Sequence, residues 1–345
     1  MRIFAGKPMP PVMKILKICL AVCTGIILFA GCKKTAPIPV NTNPHLIFKF
    51  VFDSTQVRLN GFGQPDSTMP SGHAGQNPQM NVMSGHYIEL APDQFTALGK
   101  GTVLYMTPTH ISGGDTAIDF QQEVLTPNNG IFYSVALDSV TPGTYQYLRV
   151  SLAYQNYSVQ LYEDTTISTV VGGTTYTGTI QEELPCTIAS FVGVNTYITN
   201  YTIKTENVTV NGNRLQGYWG FESVGTLNYT MGGQSYPYPY SFLETGQAPA
   251  GATTVVNPLF ATSPIPAGSC VATGQFVTGN NKGPLSYLTI PAKGTATQDI
   301  VITVSLSVNH SFEWIDVIPD GKWQPSKGEN IVDMGIRGLV PIIGQ

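Results

Sequence analysis

The sequence predicts an all-β protein: an antiparallel β-sandwich, Ig-like or jelly-roll-like in its packing, built as one large unit or as two tightly joined sandwiches. Three observations carry this. Charged residues make up only 11% of the chain while Gly (36) and Tyr (17) are plentiful, a composition that suits strands and turns rather than helices. Apolar and polar residues alternate in several stretches, most cleanly where Ile300, Ile302, Val304, Leu306 and Val308 fall on one face. Gly172-Gly173, Asn211-Gly212 and Gly232-Gly233 stand between such stretches as hairpin turns.

The N-terminus precedes this pattern. Lys14 and Lys17 lead into an apolar run from Ile18 to Phe29, closed by Ala30 and Gly31 before Cys32; this is the layout of a secretory signal, and the run is shorter than the ~20 residues of a spanning helix. Leu28-Phe29-Ala30-Gly31-Cys32 resembles the bacterial lipoprotein signal. The resemblance implies cleavage before Cys32, acylation of that cysteine and attachment of the chain to a membrane; an ordinary signal with an incidental Cys32 is the alternative. Lys33 and Lys34 stand where aspartate would mark inner-membrane retention, so the resemblance points to the outer membrane, facing the periplasm or the surface. Residues 1–31 are then the signal peptide, and 32–44, with three prolines, a tether. From Cys32 onward 13 basic residues face 21 acidic ones, a balance of −8, which argues against a nucleic-acid partner.

A β-sandwich is expected over 45–246 and a C-terminal β region, packed on it or completing it, over 247–345. Leu46 to Phe52 reads as the opening strand. A Gly-, Pro- and Met-rich loop follows from Gly61 to Gly85, then a strand from His86 to Leu90 and a short helix from Pro92-Asp93 to Gly99–Gly101. Tyr145 to Tyr162 reads as one very long or bulged strand. The three hairpins follow, and the Pro-rich stretch from Gln247 to Ser269 is the best internal boundary.

Cys19 and Cys23 leave with the signal and Cys32 takes the lipid, so Cys186 and Cys270 remain, in a compartment where a disulfide persists. A Cys186–Cys270 bridge is expected, with two buried thiols as the alternative.

Three stretches carry candidate chemistry. Met69, His73, Met80, Met83 and His86 gather thioethers and imidazoles, a donor set for copper(I), with a lid or surface loop as the alternative. Asp316, Asp320 and Glu329 give part of a calcium loop, with Ile318 and Lys327 at two ligand positions; a solvated Pro-Asp-Gly turn is the alternative. Tyr236, Tyr238 and Tyr240 alternate with prolines that exclude them from a central strand, which suggests an exposed strip for a glycan or an envelope protein. No G-x-S-x-G, H-E-x-x-H or phosphate-binding glycine motif occurs. His310 near Glu313 is read as an isolated pair.

Phe48 to Phe52, Tyr87-Ile88-Glu89-Leu90, Ile118-Asp119-Phe120 and Pro142-Gly143-Thr144-Tyr145 leading to Leu148-Arg149-Val150 resemble the MbnP-like periplasmic proteins over residues 46–160. The resemblance implies an all-β fold and a link to copper. Tyr154-Gln155-Asn156-Tyr157 stands where that family has an Asn-His pair, so no metal ligand is carried over. Asp-Ser/Thr steps such as Asp53-Ser54-Thr55 and Asp66-Ser67-Thr68 resemble O-glycosylation sites of Bacteroidetes, or are ordinary turn starts. Together these features predict a lipid-anchored, cell-envelope binding protein, with copper first and calcium second as cofactors. A glycan- or protein-binding lipoprotein and an envelope hydrolase are the alternatives.

Overall fold

The computed structural model describes residues 43–171, 173–231, 234–249, 265 and 269–344. The signal, Cys32 and nearly all of the tether lie outside these residues, as does most of the Pro-rich stretch before Cys270.

β1 (His45–Asp53) buries Leu46, Phe48 and Phe50 completely, as its alternation requires. β2 (His73–Gln76) and β3 (Gln79–Ala91) occupy much of the stretch expected to be loop. Its glycines serve close approach as well as pliability: a side chain on Gly85 would meet the Phe132 ring at 3.2 Å and the Ser151 carbonyl at 3.3 Å. β4 (Thr102–Met106), β5 (Thr109–Ser112), β6 (Asp115–Asp119), β7 (Thr126–Pro127), β8 (Ile131–Ala136) and β9 (Gly143–Tyr145) are short. β10 (Tyr147–Val171) and β11 (Thr174–Phe191) form the first expected hairpin, with Val171 opposite Thr174. β12 (Asn195–Thr202) and β13 (Asn207–Leu215) follow. β14 (Tyr218–Met231) and β15 (Gln234–Gln247) then form the third, with Met231 opposite Gln234. The chain ends in β16 (Val271–Gln275), β17 (Val277–Thr278), β18 (Leu288–Ile290), β19 (Ile300–Ser307), β20 (Phe312–Ile315), β21 (Ile331–Asp333) and β22 (Leu339–Ile343).

The fold is all-β and largely antiparallel. A five-stranded sheet in the order β17-β22-β19-β1-β8 faces an eight-stranded one in which β15-β14-β11-β10-β3-β4 are joined by β16 on β10 and β7 on β3. Phe48, Phe50, Ile302 and Val304 from the first meet Ile88, Leu90, Leu148 and Val150 from the second in the main core. The opposite face of the large sheet carries a smaller aromatic core, where Tyr154, Phe191 and Tyr218 pack on Ile198 and Tyr201 of the β13-β12-β6-β5 sheet. β1 lies parallel to β19 from Leu46↔Ile300 to Asp53↔Ser307, so the opening strand is closed only by the end of the chain. These strands belong to one compact unit, Val40–Gln345.

Two local expectations are corrected. Residues 92–101 form turns, not a helix. Asp93 accepts from the Phe95 amide and the Thr96 hydroxyl. The Thr96 and Ala97 carbonyls receive the buried Arg149 guanidinium, at 2.5 and 3.4 Å, in place of helical amides, while Glu89 accepts the Gly101 amide at 2.7 Å. The second correction concerns Asn211-Gly212, which lies inside β13, where the β12–β13 register slips and Asn211 takes φ +49°. The real turn comes at 203–206, gathered by Glu222, whose carboxylate accepts from the amides of Lys204, Thr205 and Glu206 at 2.8–3.0 Å.

Candidate functional site

The loop from β1 to β2 is anchored before it forms a site. Asp53 accepts from the Thr55 amide and hydroxyl at 2.7 Å and turns the chain out of β1. The Leu59 amide then bonds the Arg337 carbonyl at 2.7 Å, and the Asp66 amide returns to the Arg58 carbonyl at 2.9 Å. Arg58 is thereby driven inward.

Its partner is Glu313, which β20 presents opposite Gly75 of β2. Glu313 is 3% exposed. One of its oxygens receives Arg58 at 2.7 Å and Arg337 at 2.5 Å, and the other lies 2.6 Å from His73 Nδ1. Arg58 also pairs with Asp66 at 2.9 Å and Arg337 with Asp333 at 3.0 Å. A buried carboxylate is tolerable only with such partners. Over this ionic floor opens a cleft of about 380 Å³, lined by Thr55, Arg58, Ser67, Met69, Asn309 and His310 among others.

His310 reaches the cleft from a turn in which the Ser311 amide bonds the Val308 carbonyl at 3.2 Å. Its backbone is left-handed, φ +47°, where glycine or asparagine is the usual occupant. Its amide donates to Asn77 Oδ1 and its Nδ1 lies 2.7 Å from Asn309 Oδ1.

Of the five residues of the Met and His stretch, only Met69 and His73 belong to this region. Met83 is fully buried in the main core and Met80 packs against that core. His86 sits at a register slip of β3, where burial holds its imidazole down to about 4. The five do not form one cluster.

Asp316, Asp320 and Glu329 do share a loop, but its backbone uses their oxygens. Glu329 accepts the Ile318 and Gln324 amides at 3.1 and 2.6 Å. Asp316 accepts Gly321, and Asp320 accepts Lys322. Burial raises the Glu329 pKa, and the two aspartates raise it further. Among the described residues no three His, Cys, Asp or Glu side chains are grouped to hold a metal ion.

The tyrosine strip is corrected at Tyr238 and Tyr240, while the Tyr236 side chain lies outside the described residues. The prolines do put their strand at a sheet edge, β15, but Tyr240 is buried over Gly225 and Tyr238 packs against the core. Tyr236 pairs its backbone with Tyr229. Trp314 and Trp323 are core residues too.

The expected bridge is also corrected, since Cys186 and Cys270 are both thiols. Cys186 faces Val159 of β10 whereas Cys270 precedes Val271, which faces Ser151. Eight strand residues separate those positions, roughly 26 Å, far beyond the ~7 Å limit between bridged Cα atoms.

Sequence inspection missed Arg58, Arg337 and the true partner of Glu313, which is His73 and not the nearby His310. The available signal was the placement of single charges inside apolar stretches, Val57-Arg58-Leu59 and Phe312-Glu313-Trp314, in a chain poor in charge. No family model, no curated protein and no solved structure matches this chain.

Proposed function

We propose that this chain is a lipid-anchored binding protein of the outer membrane, held through acylated Cys32, whose ligand site is the cleft above Glu313. The observation that carries the cleft is its construction. An opening of about 380 Å³ rests on Arg58, itself fixed by Glu313 and Asp66, so this part of its lining is held in place before any ligand arrives. The anchor rests on the Leu28–Cys32 pattern, and the outer membrane on Lys33 and Lys34 after the cysteine.

Two experiments test this. Cys32→Ser moves the chain from the membrane pellet to the soluble envelope fraction; retention in the pellet ends the anchor reading. Elemental and mass-spectrometric analysis of chain purified from the envelope is then compared with Ser67→Trp, which fills the cleft. Wild type carries a bound species that the variant lacks, and identical contents end the cleft reading.

A second reading has one observation behind it. His73, oriented by Glu313 through a 2.6 Å contact, is arranged like the general base of a hydrolase. Hydrolysis of chromogenic esters or glycosides that His73→Gln abolishes would favour it over binding.

A further inference from the structure

We propose that the open edge of β11 from Thr174 to Leu184 receives an extended, basic segment of a partner protein, which joins the large sheet as a further strand. This surface depends neither on the cleft nor on the lipid anchor.

Pro185 creates this edge. β11 pairs with β10 along its whole length, from Tyr154↔Phe191 to Val171↔Thr174, but with β14 only from Phe191↔Tyr218 to Thr187↔Glu222. At the next position that would bond β14 stands Pro185, which has no amide to donate, and the ladder stops there. The Ser223 hydroxyl takes the Pro185 carbonyl instead, at 2.9 Å. Beyond this point β14 pairs only with β15, as far as Met231↔Gln234. Two hairpins therefore part like the arms of a fork.

Alternation decides which groups face the fork. The Pro185 carbonyl meets Ser223, and the Phe191 carbonyl accepts the Gly217 amide at 2.8 Å, so odd-numbered residues turn their backbone to the β14 side. The Val192 amide bonds the Ala153 carbonyl at 2.9 Å, so even-numbered ones turn to β10. The amides and carbonyls of Thr175, Thr179, Gln181 and Glu183 thus point away from β10, and among the described residues none of them has a backbone partner. Backbone groups must be hydrogen-bonded, and a row of alternating donors and acceptors is matched in register by another extended backbone.

The two edges of this region are treated differently. β15, on the outside, carries Pro237 and Pro239, a common block against a further strand, whereas residues 174–184 hold no proline. The arms are also fixed in place: Ile180 is buried, and Leu227, Tyr238 and Phe242 pack against the main core. Charge selects the partner. Residues 165–183 and 223–247 contain Glu182, Glu183 and Glu244 and no lysine or arginine, and all three glutamates are exposed. A strand carrying lysine or arginine is attracted to this edge, and an acidic one is repelled.

The test uses the full chain in detergent and, as probe, a soluble peptide of alternating lysine and threonine, about ten residues long to match a strand. Hydrogen exchange read residue by residue slows at the amides of Thr175, Thr179, Gln181 and Glu183 when the peptide is added. Thr179→Pro removes one of these amides without touching the ladder to β10. It weakens peptide binding about tenfold, the scale of one lost hydrogen bond and a stranded acceptor. The even-numbered amides of β11 stay slow in this variant, which shows the hairpin intact. Glu182→Lys with Glu183→Lys turns the preference to a peptide with glutamate in place of lysine. The proposal is overturned if the four amides exchange as fast with the peptide as without it, if Thr179→Pro binds as well as wild type, or if the glutamate peptide binds wild type equally. It is overturned in favour of self-association if these amides are already slow in wild type alone and quicken on dilution.

Discussion

Glu313 Oε1 lies 2.6 Å from His73 Nδ1 although 240 residues separate them, and this contact joins the β1–β2 loop to the end of the chain. The carboxylate behind it neutralises Arg58 and Arg337 together. Glu313→Ala therefore leaves two buried guanidinium groups without their common partner, a loss of about 3–5 kcal/mol for a broken buried pair. Asp66, at 31% side-chain exposure, is a solvated partner, and Asp66→Asn costs under ~1 kcal/mol. Urea denaturation of the two variants measures the contrast; equal losses would show that the floor is not organised around Glu313.

Two glutamates give opposite dependences on pH. Burial alone would raise the Glu222 pKa, but the amides of Glu206, Thr205 and Lys204 and the Thr205 hydroxyl hold it below its ordinary value. A lowered folded-state pKa gives stability that is present above the unfolded value and disappears as pH falls through the folded one. Burial pushes the Glu123 carboxyl up to about 7, with the Ser84 and Thr107 hydroxyls pulling back and Asp119 adding to the rise. A raised acid is stabilising below its unfolded value, and that stability is lost as pH rises toward 7. Glu222→Gln flattens the acid limb of a plot of melting temperature against pH, whereas Glu123→Gln stabilises at pH 8 and has little effect at pH 4.

Arg149 and Glu89 tie the 92–101 turns to the large sheet, with Arg149 1% exposed and Glu89 fully buried. Arg149→Met keeps the stem but strands Glu89 and releases the Thr96 and Ala97 carbonyls. Limited proteolysis then cuts first between residues 92 and 101, with overall stability down by about 3 kcal/mol or more. Cleavage elsewhere first would mean that the segment holds itself.

Elements governed by local alternation were legible in the sequence. β1 and β19 match their patterns because the alternate apolar side chains of each enter the main core, which period two shows directly, although β19 also buries Ser305 and Ser307 on its other face. The hairpins at residues 172–173 and 232–233 were legible because both flanking strands are regular. Asn211-Gly212 misled because a left-handed asparagine serves a bulge as well as a turn, and the competing turn is set by a carboxylate on another strand, Glu222. The 92–101 segment misled for a similar reason: Pro92-Asp93 starts a helix unless a distant arginine takes its carbonyls. The site was least legible. Met69 and His73 could be singled out by residue type, but Glu313 reaches His73 only through the β2–β20 pairing, which no spacing along the chain encodes.

The cysteines give the last prediction. Burial raises both thiols, Cys270 to about 12 with the Gln216 amide pulling it back in part, and Cys186 still further. The thiolate is the reactive form, so both resist alkylation at neutral pH while the chain is folded. Maleimide labelling of native chain in an oxidising buffer leaves Cys186 and Cys270 unmodified, and labelling in denaturant without reductant modifies both, as peptide mass spectrometry reads directly. A 186–270 crosslinked peptide under the same conditions would require β11 and the start of β16 to approach by roughly 20 Å. That movement would break the β10 ladder that carries both strands, so its detection would overturn the register on which the large sheet is built.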